Sequence, residues 1–229
     1  MKRLNHHYVV IGYGRLGRTI AEELRAEKVG VAVVERDPAL VQQAERDGFP
    51  AIPGDGTDDE LLKQAGIARA KGVAVAIPSS AEAVYVTMSC RQLNAELNIV
   101  TRVSDPGQAA KAVRAGATSV VNPHVMGGWR MAHGLLRPHA SSFLDLATLA
   151  THDEIAIDEL AVPEGSAMAG RTLGQLGLAD QGVLVVAIRR TDGTLVPTPR
   201  ASAEIHAGDV LIALGAPGAM AELEKHVGG

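Results

Sequence analysis

The spacing in this chain with the most defined chemical use is Gly12-x-Gly14-x-x-Gly17, answered by a carboxylate at Glu35. A glycine at the first position permits a tight turn, and one at the second lets a pyrophosphate approach the backbone. One at the third lets a helix pack closely on a sheet. The free N–H groups of the helix expected over 15–27 then face the phosphates, with Arg15 and Leu16 in its opening turn. Glu35 is placed to accept hydrogen bonds from ribose hydroxyls, which favours NAD or an adenine nucleotide over NADP. Arg36 beside it counts the other way, because an arginine there can accept a 2′-phosphate. Arg15 sits inside the turn and is the better phosphate partner, whereas Arg18, one helical turn on, reads as a surface charge. Arg102 is expected at the carboxyl edge of the sheet, either facing the ligand or paired with Asp105.

Other chemistries fare worse. Val10-Ile11-Gly12-Tyr13-Gly14 comes close to the T-V-G-Y-G of a potassium-selective filter. A pore needs spans, yet the longest apolar runs, 73–78 and 183–188, are about a third of the ~20 residues required. Arg15 and Arg18 would also stand at the mouth of such a filter. Residues 1–7 carry charge with no apolar stretch behind it, so no leader is expected. A net charge of −4 with scattered Lys and Arg argues against a nucleic-acid partner. An NAD-dependent oxidoreductase is the competing class, but Tyr85-Val86-Thr87-Met88-Ser89 puts serine where a Tyr-x-x-x-Lys pair needs lysine. No catalytic residue is therefore expected, and the chain reads as a non-enzyme. His124, His133 and His139 share no helical face and form no metal pattern with Cys90, so they read as surface or packing residues. Cys90 reads as an inert core thiol. As the lone cysteine it excludes an internal disulfide and fits a reducing compartment.

The elements that must position these residues follow from periodicity. Apolar runs at 8–11, 31–34, 51–52, 73–77, 99–103 and 119–121 alternate with helical patterns at 15–27, 38–46, 58–65, 81–93 and 107–114. Such alternation predicts an α/β fold with a Rossmann-like parallel sheet, assigned here to residues 1–122. A helix over 123–137 is interrupted by Gly127-Gly128, each costing up to ~1 kcal/mol in a helix interior. The pair is either a flexible point or a close-packing site, with packing preferred. A second helix over 142–149 completes a crossover helix and helix-turn-helix spanning 123–150. Beyond it, strands near Ile155 and Ile157 and at 183–188, 195–196 and 210–214, with a last helix over 217–226, predict a small α+β lobe, residues 151–229.

Gly54-Asp55-Gly56-Thr57-Asp58 followed by Ala65-Gly66-Ile67, taken with the glycine fingerprint, closely resembles the regulators of potassium conductance (RCK). These are the cytosolic domains of prokaryotic potassium channels and of Trk/Ktr-type transporters. Residues 102–123 are similar to the family's next strand, helix and strand, and 162–177 with 208–215 to its C-terminal lobe. The resemblance implies that Asp55, Gly56 and Thr57 line the adenine side of the pocket, with Gly56 replacing the usual alanine, and that Ser79 adds a contact after the fourth strand. It implies a ligand-sensing domain that gates potassium flux, with NAD(H), ATP, ADP or AMP as effector. It further implies a homodimer that assembles into an octameric ring, cytoplasmic and held at the inner membrane face by a channel pore or a transporter subunit. Arg102 and Ser104 stand where calcium-gated relatives place acidic ligands, so calcium is not expected at the sheet edge. Asp153, Glu154, Asp158 and Glu159 leave a divalent site in the C-terminal lobe open, a solvated acidic strand being preferred. Residues 2–17 resemble the junction between a channel's last pore helix and its cytosolic domain, which favours a piece of a channel. A free-standing Trk/Ktr regulatory subunit is the alternative.

Overall fold

The structure is a computed structural model that describes residues 6–148 and 155–227. The chain divides into two compact units, Met1–Met131 and Ala132–Gly229.

In the first unit six strands lie parallel: β1 (Tyr8–Ile11), β2 (Val31–Glu35), β3 (Ala51–Pro53), β4 (Gly72–Val75), β5 (Asn98–Arg102) and β6 (Ser119–Val121). Their order, β3-β2-β1-β4-β5-β6, is that of the Rossmann fold, as the alternation predicted. The helices between them are α1 (Arg15–Ala26), α2 (Pro38–Arg46), α3 (Asp59–Gln64), α4 (Ser80–Leu93) and α5 (Ala109–Arg114). Every residue of β2 is buried, which explains why its sequence is nearly all apolar. Along β1 the side chains alternate between two cores. Val9 and Ile11 join Leu62, Ile67, Val86 and Ile99, whereas Val10 joins Tyr13, Ala21, Ala44 and Phe49. The helix expected over 107–114 opens instead as a 3-10 turn at Pro106–Gln108, with Asp105 as its cap.

The helix α6 (Pro123–Leu136) runs through Gly127-Gly128 without the expected interruption. A glycine weakens a helix but keeps its N–H, so two of them need not break the hydrogen-bond ladder. Neither has a neighbour within 4 Å of where a Cβ would stand, so the preferred close-packing role is not realised within one chain. No residue of α6 is buried.

The second unit holds α7 (Pro138–Thr148), β7 (Ala156–Ala161), α8 (Leu173–Leu176), β8 (Val183–Arg189), β9 (Leu195–Pro197), β10 (Val210–Gly215) and α9 (Pro217–Val227). Pro138 opens α7, because proline suits a first helical turn, so this helix starts ahead of the expected residue 142. The sheet is antiparallel, in the order β7-β10-β8-β9. Leu160, Val162, Ile188, Ile205, Leu211, Ala213 and Leu223 form its core. Asp209, also buried, accepts from Arg190 Nη1 at 2.5 Å and from the His206 amide at 2.8 Å.

Candidate nucleotide-binding site

The glycine turn sits at the carboxyl end of β1, and each glycine there meets a different constraint. Gly12 has φ +92°, in the left-handed region, and a Cβ on it would lie 3.1 Å from Ile77 Cγ2. A Cβ on Gly17 would fall 1.8 Å from the Gly12 carbonyl oxygen, so α1 rides directly on the turn. Gly14 has an ordinary φ of −66° and nothing within 4 Å of a Cβ position. Its missing side chain leaves open space in a cleft of about 560 Å³. Side chains cap α2, α3 and α4 through Asp37, Asp58 and Ser79. By contrast α1 has no side-chain cap and no acidic residue in its first turn, so its first N–H groups are left for a ligand.

Glu35 ends β2, buried beneath this turn. Its Oε2 accepts from the Tyr13 amide at 2.5 Å and its Oε1 from the Asp37 amide at 2.8 Å. An ionised carboxylate has about four acceptor sites, so both oxygens can still receive a ribose hydroxyl. Of the residues singled out from the sequence, Gly12, Gly14, Arg15, Leu16, Glu35, Arg36, Asp55, Gly56 and Arg102 line the cleft. Gly17, Thr57 and Ser79 do not, and each supports a lining residue instead. The Thr57 amide and hydroxyl both donate to Asp55 Oδ1 at 2.9 Å, and Ser79 Oγ accepts from the Glu82 amide at 3.3 Å. A Cβ on Gly56 would stand 2.4 Å from Ile11 Cγ2, which accounts for the departure from alanine.

The charges of the cleft are sorted by place. Arg36 Nη1 lies 3.6 Å from Asp55 Oδ2 and 3.7 Å from Glu82 Oε2. Hydrogen bonds from the Thr57 backbone and hydroxyl, then the Arg36 charge, hold the Asp55 carboxyl below its usual range. Arg15 and Arg102 have no carboxylate in ion-pair range among the described residues. Arg102 Nε is buried without a hydrogen-bond partner, and its Nη2 has only a 3.4 Å contact with Ser104 Oγ. The ion pair with Asp105 does not form; that carboxylate caps its own turn, its Oδ1 accepting from the Gly107 amide at 2.9 Å. A guanidinium nitrogen buried without a partner is costly, and an anion in the cleft would satisfy it. Arg18 instead pairs with Glu22 at 2.9 Å and Asp47 at 3.4 Å, the surface role expected of it.

Several lining residues escaped the sequence, among them two with polar side chains that open a helix. Glu82 stands in the first turn of α4, and His124, read as a surface or packing residue, stands in the first turn of α6. Both follow the carboxyl end of a strand, and that position was the available signal. Among the described residues no group of three or more His, Cys, Asp or Glu side chains is placed to hold a metal ion. Asp158 and Glu159 are exposed on β7, while Asp153 and Glu154 lie outside the described residues. No helix among the described residues is long and apolar enough to cross a membrane.

An open phosphate turn on a parallel sheet of Rossmann order defines a nucleotide-binding class of protein, here followed by an antiparallel α+β unit. Within that class the TrkA-N domain profile matches residues 8–123 and the TrkA-C domain profile residues 158–228. The chain belongs to this family, the regulators of potassium conductance. Potassium channel protein 1 of Methanocaldococcus jannaschii is 31% identical over 232 residues, which span 100% of this chain and 69% of that protein. Ktr system potassium uptake protein C of Bacillus subtilis is 29% identical, with 98% of both chains aligned. Among solved structures, the GsuK channel bound to NAD superposes with a TM-score of 0.53 at 25% identity, covering 99% of this chain and 39% of that one.

Proposed function

We propose that this chain is a cytosolic ligand-sensing domain that controls potassium flux through a membrane partner, with an adenine nucleotide or NAD(H) as its effector. The observation that carries this reading is the pair of guanidinium groups, Arg15 and Arg102, that line one cleft beside the uncapped start of α1 with no carboxylate in ion-pair range among the described residues. Phosphate is the anion that such a set of donors fits, and Glu35 takes the ribose. The cleft binds rather than catalyses. Ser79, Thr57 and Gly17 act through the residues they hold. The effector works by favouring one arrangement of subunits over another, and a hundredfold difference in affinity between the two is worth ~2.7 kcal/mol per site.

The named relatives support potassium transport as the setting. The pore is either continuous with this chain, as the resemblance of residues 2–17 favours, or a separate subunit; the match to a potassium channel protein supports the first and the match to a Ktr potassium uptake protein the second. The lobes are residues 1–122 for the nucleotide, 123–150 for the crossover and 151–229 for regulation. A homodimer, assembling to an octameric ring, covers the exposed apolar side chains of α6, among them Met126, Met131 and Leu135.

A thermal-shift panel with NAD, NADH, ATP, ADP and AMP tests the reading. At 100 times the dissociation constant a ligand adds ~2.7 kcal/mol, or roughly 5–10 °C for a chain of this size. The shift is expected to vanish in Gly14→Asp, which sets a carboxylate in the phosphate's place. A flat panel, or turnover of NADH with any substrate, overturns the proposal.

A further inference from the structure

Arg36 follows Glu35 at the carboxyl end of β2, the place from which an arginine reads the 2′-phosphate that separates NADP from NAD. In this chain the guanidinium is already engaged. Asp55 reaches it from the loop after β3 and Glu82 from the first turn of α4, which follows β4. In the sheet order β3 lies on one side of β2, and β4 lies beyond β1 on the other. The two carboxylates therefore meet Arg36 from opposite sides of the cleft mouth, and all three residues line it. Asp55 is fixed for this task, since Thr57 occupies its Oδ1 and leaves Oδ2 for Arg36.

We infer that Asp55 and Glu82 are specificity-determining residues: by holding Arg36 between them they reserve the site for nucleotides with a free 2′-hydroxyl. The inference rests on the nucleotide-binding reading given above. Exposed ion pairs are individually weak, and these two, with side chains 41–61% exposed, are no exception. What excludes a 2′-phosphate is the sum of charge. One guanidinium faces two carboxylates, Glu35 adds a third negative group, and the phosphate would bring roughly two further negative charges. The surplus persists whether or not Arg36 swings away. Sequence proximity alone would have assigned Arg36 the opposite role.

The test is a titration by calorimetry of NAD against NADP, and of AMP against adenosine 2′,5′-bisphosphate. The proteins are wild type, Asp55→Asn/Glu82→Gln, and that double variant with Arg36→Ala. Asp55→Asn keeps the oxygen that accepts from Thr57, and Glu82 side-chain oxygens cap nothing, so folding is expected to survive. Glu82→Gln alone serves if the double variant melts early. Wild type is expected to bind the 2′-phosphorylated member of each pair at least about tenfold more weakly. Removing two negative charges should narrow that gap by about tenfold, a ratio read within each protein and therefore independent of any change in its absolute affinity for NAD and AMP. Arg36→Ala should reopen it, because the freed guanidinium is what accepts the phosphate. Equal binding of both members by wild type, or a gap that the double variant leaves intact, overturns the inference alone. Wild type that binds none of the four overturns the binding reading, and this inference with it.

Discussion

Gly14 and Gly17 stand three residues apart in one motif, yet the structure gives them separate tasks, and alanine at each should fail differently. At Gly17 the added methyl would lie 1.8 Å from the Gly12 oxygen and 2.9 Å from its carbonyl carbon. Both obstacles are backbone, so α1 and the turn would have to part by more than an ångström. Overpacking of this kind costs about 1–3 kcal/mol, and a contact with backbone belongs at the upper end. At about 2–4 °C per kcal/mol for a chain of this length, Gly17→Ala should melt roughly 6–12 °C lower. At Gly14 the backbone is extended, with φ −66° and ψ −171°, and a methyl meets nothing. Alanine is a slightly poorer helix cap than glycine but reduces the freedom of the unfolded chain, so the net change is expected within about 0.5 kcal/mol. On the proposed nucleotide-binding reading, the same methyl stands where phosphate approaches the backbone. Losing one charge-assisted hydrogen bond of about 1.5–3 kcal/mol weakens nucleotide binding by roughly 10–100-fold. Circular-dichroism melts and calorimetric titrations of the two variants check both halves. A Gly17→Ala protein as stable as wild type would refute the packing role, and a Gly14→Ala protein that binds normally would refute the phosphate role.

Three further outcomes are expected. The Tyr13 phenol is pushed up first by burial and then by its hydrogen bond to Asp47, so its protonated form is favoured in the folded chain. That contribution is intact below the ordinary phenol value of 10.0 and is lost as pH rises beyond it, so urea midpoints should fall above that pH and fall less in Tyr13→Phe. Cys90 is fully buried and its thiol is pushed up to about 12 by burial, so a thiol reagent at pH near 8 should label it only as fast as the chain unfolds. Rapid labelling of the native protein would show an exposed thiol instead. Asp209→Ala should destabilise the second unit by about 1–3 kcal/mol, through loss of acceptors for Arg190 and His206, while leaving the nucleotide affinity of the first unit unchanged.

The sheet was legible because a parallel strand buried on both faces is an apolar run, and β1, β2 and β4 show little else. The glycine turn was legible because three glycines stand at fixed spacing, two of which, Gly12 and Gly17, meet a steric demand within the chain. What sequence misplaced were partnerships. Arg102 and Asp105 are close enough along the chain to suggest an ion pair, but the structure forms none, and the carboxylate caps its own turn at Gly107. Arg36 looked free, and its partners Asp55 and Glu82 arrive through the sheet order rather than from neighbouring sequence. His124 was set aside because its spacing from His133 and His139 fits no shared face. Its place in the first turn after β6, at the same sheet edge as Arg102, is what brings it to the cleft. In a fold whose ligand edge is the carboxyl end of its strands, the first turn of a following helix can face the site whatever residue type stands there, as those of α1, α2, α4 and α6 do here. Residue type told which side chains could bind, and connectivity told which ones arrive. Glu82 and His124 therefore belong with Glu35 and Arg102 in any set of variants that maps this cleft.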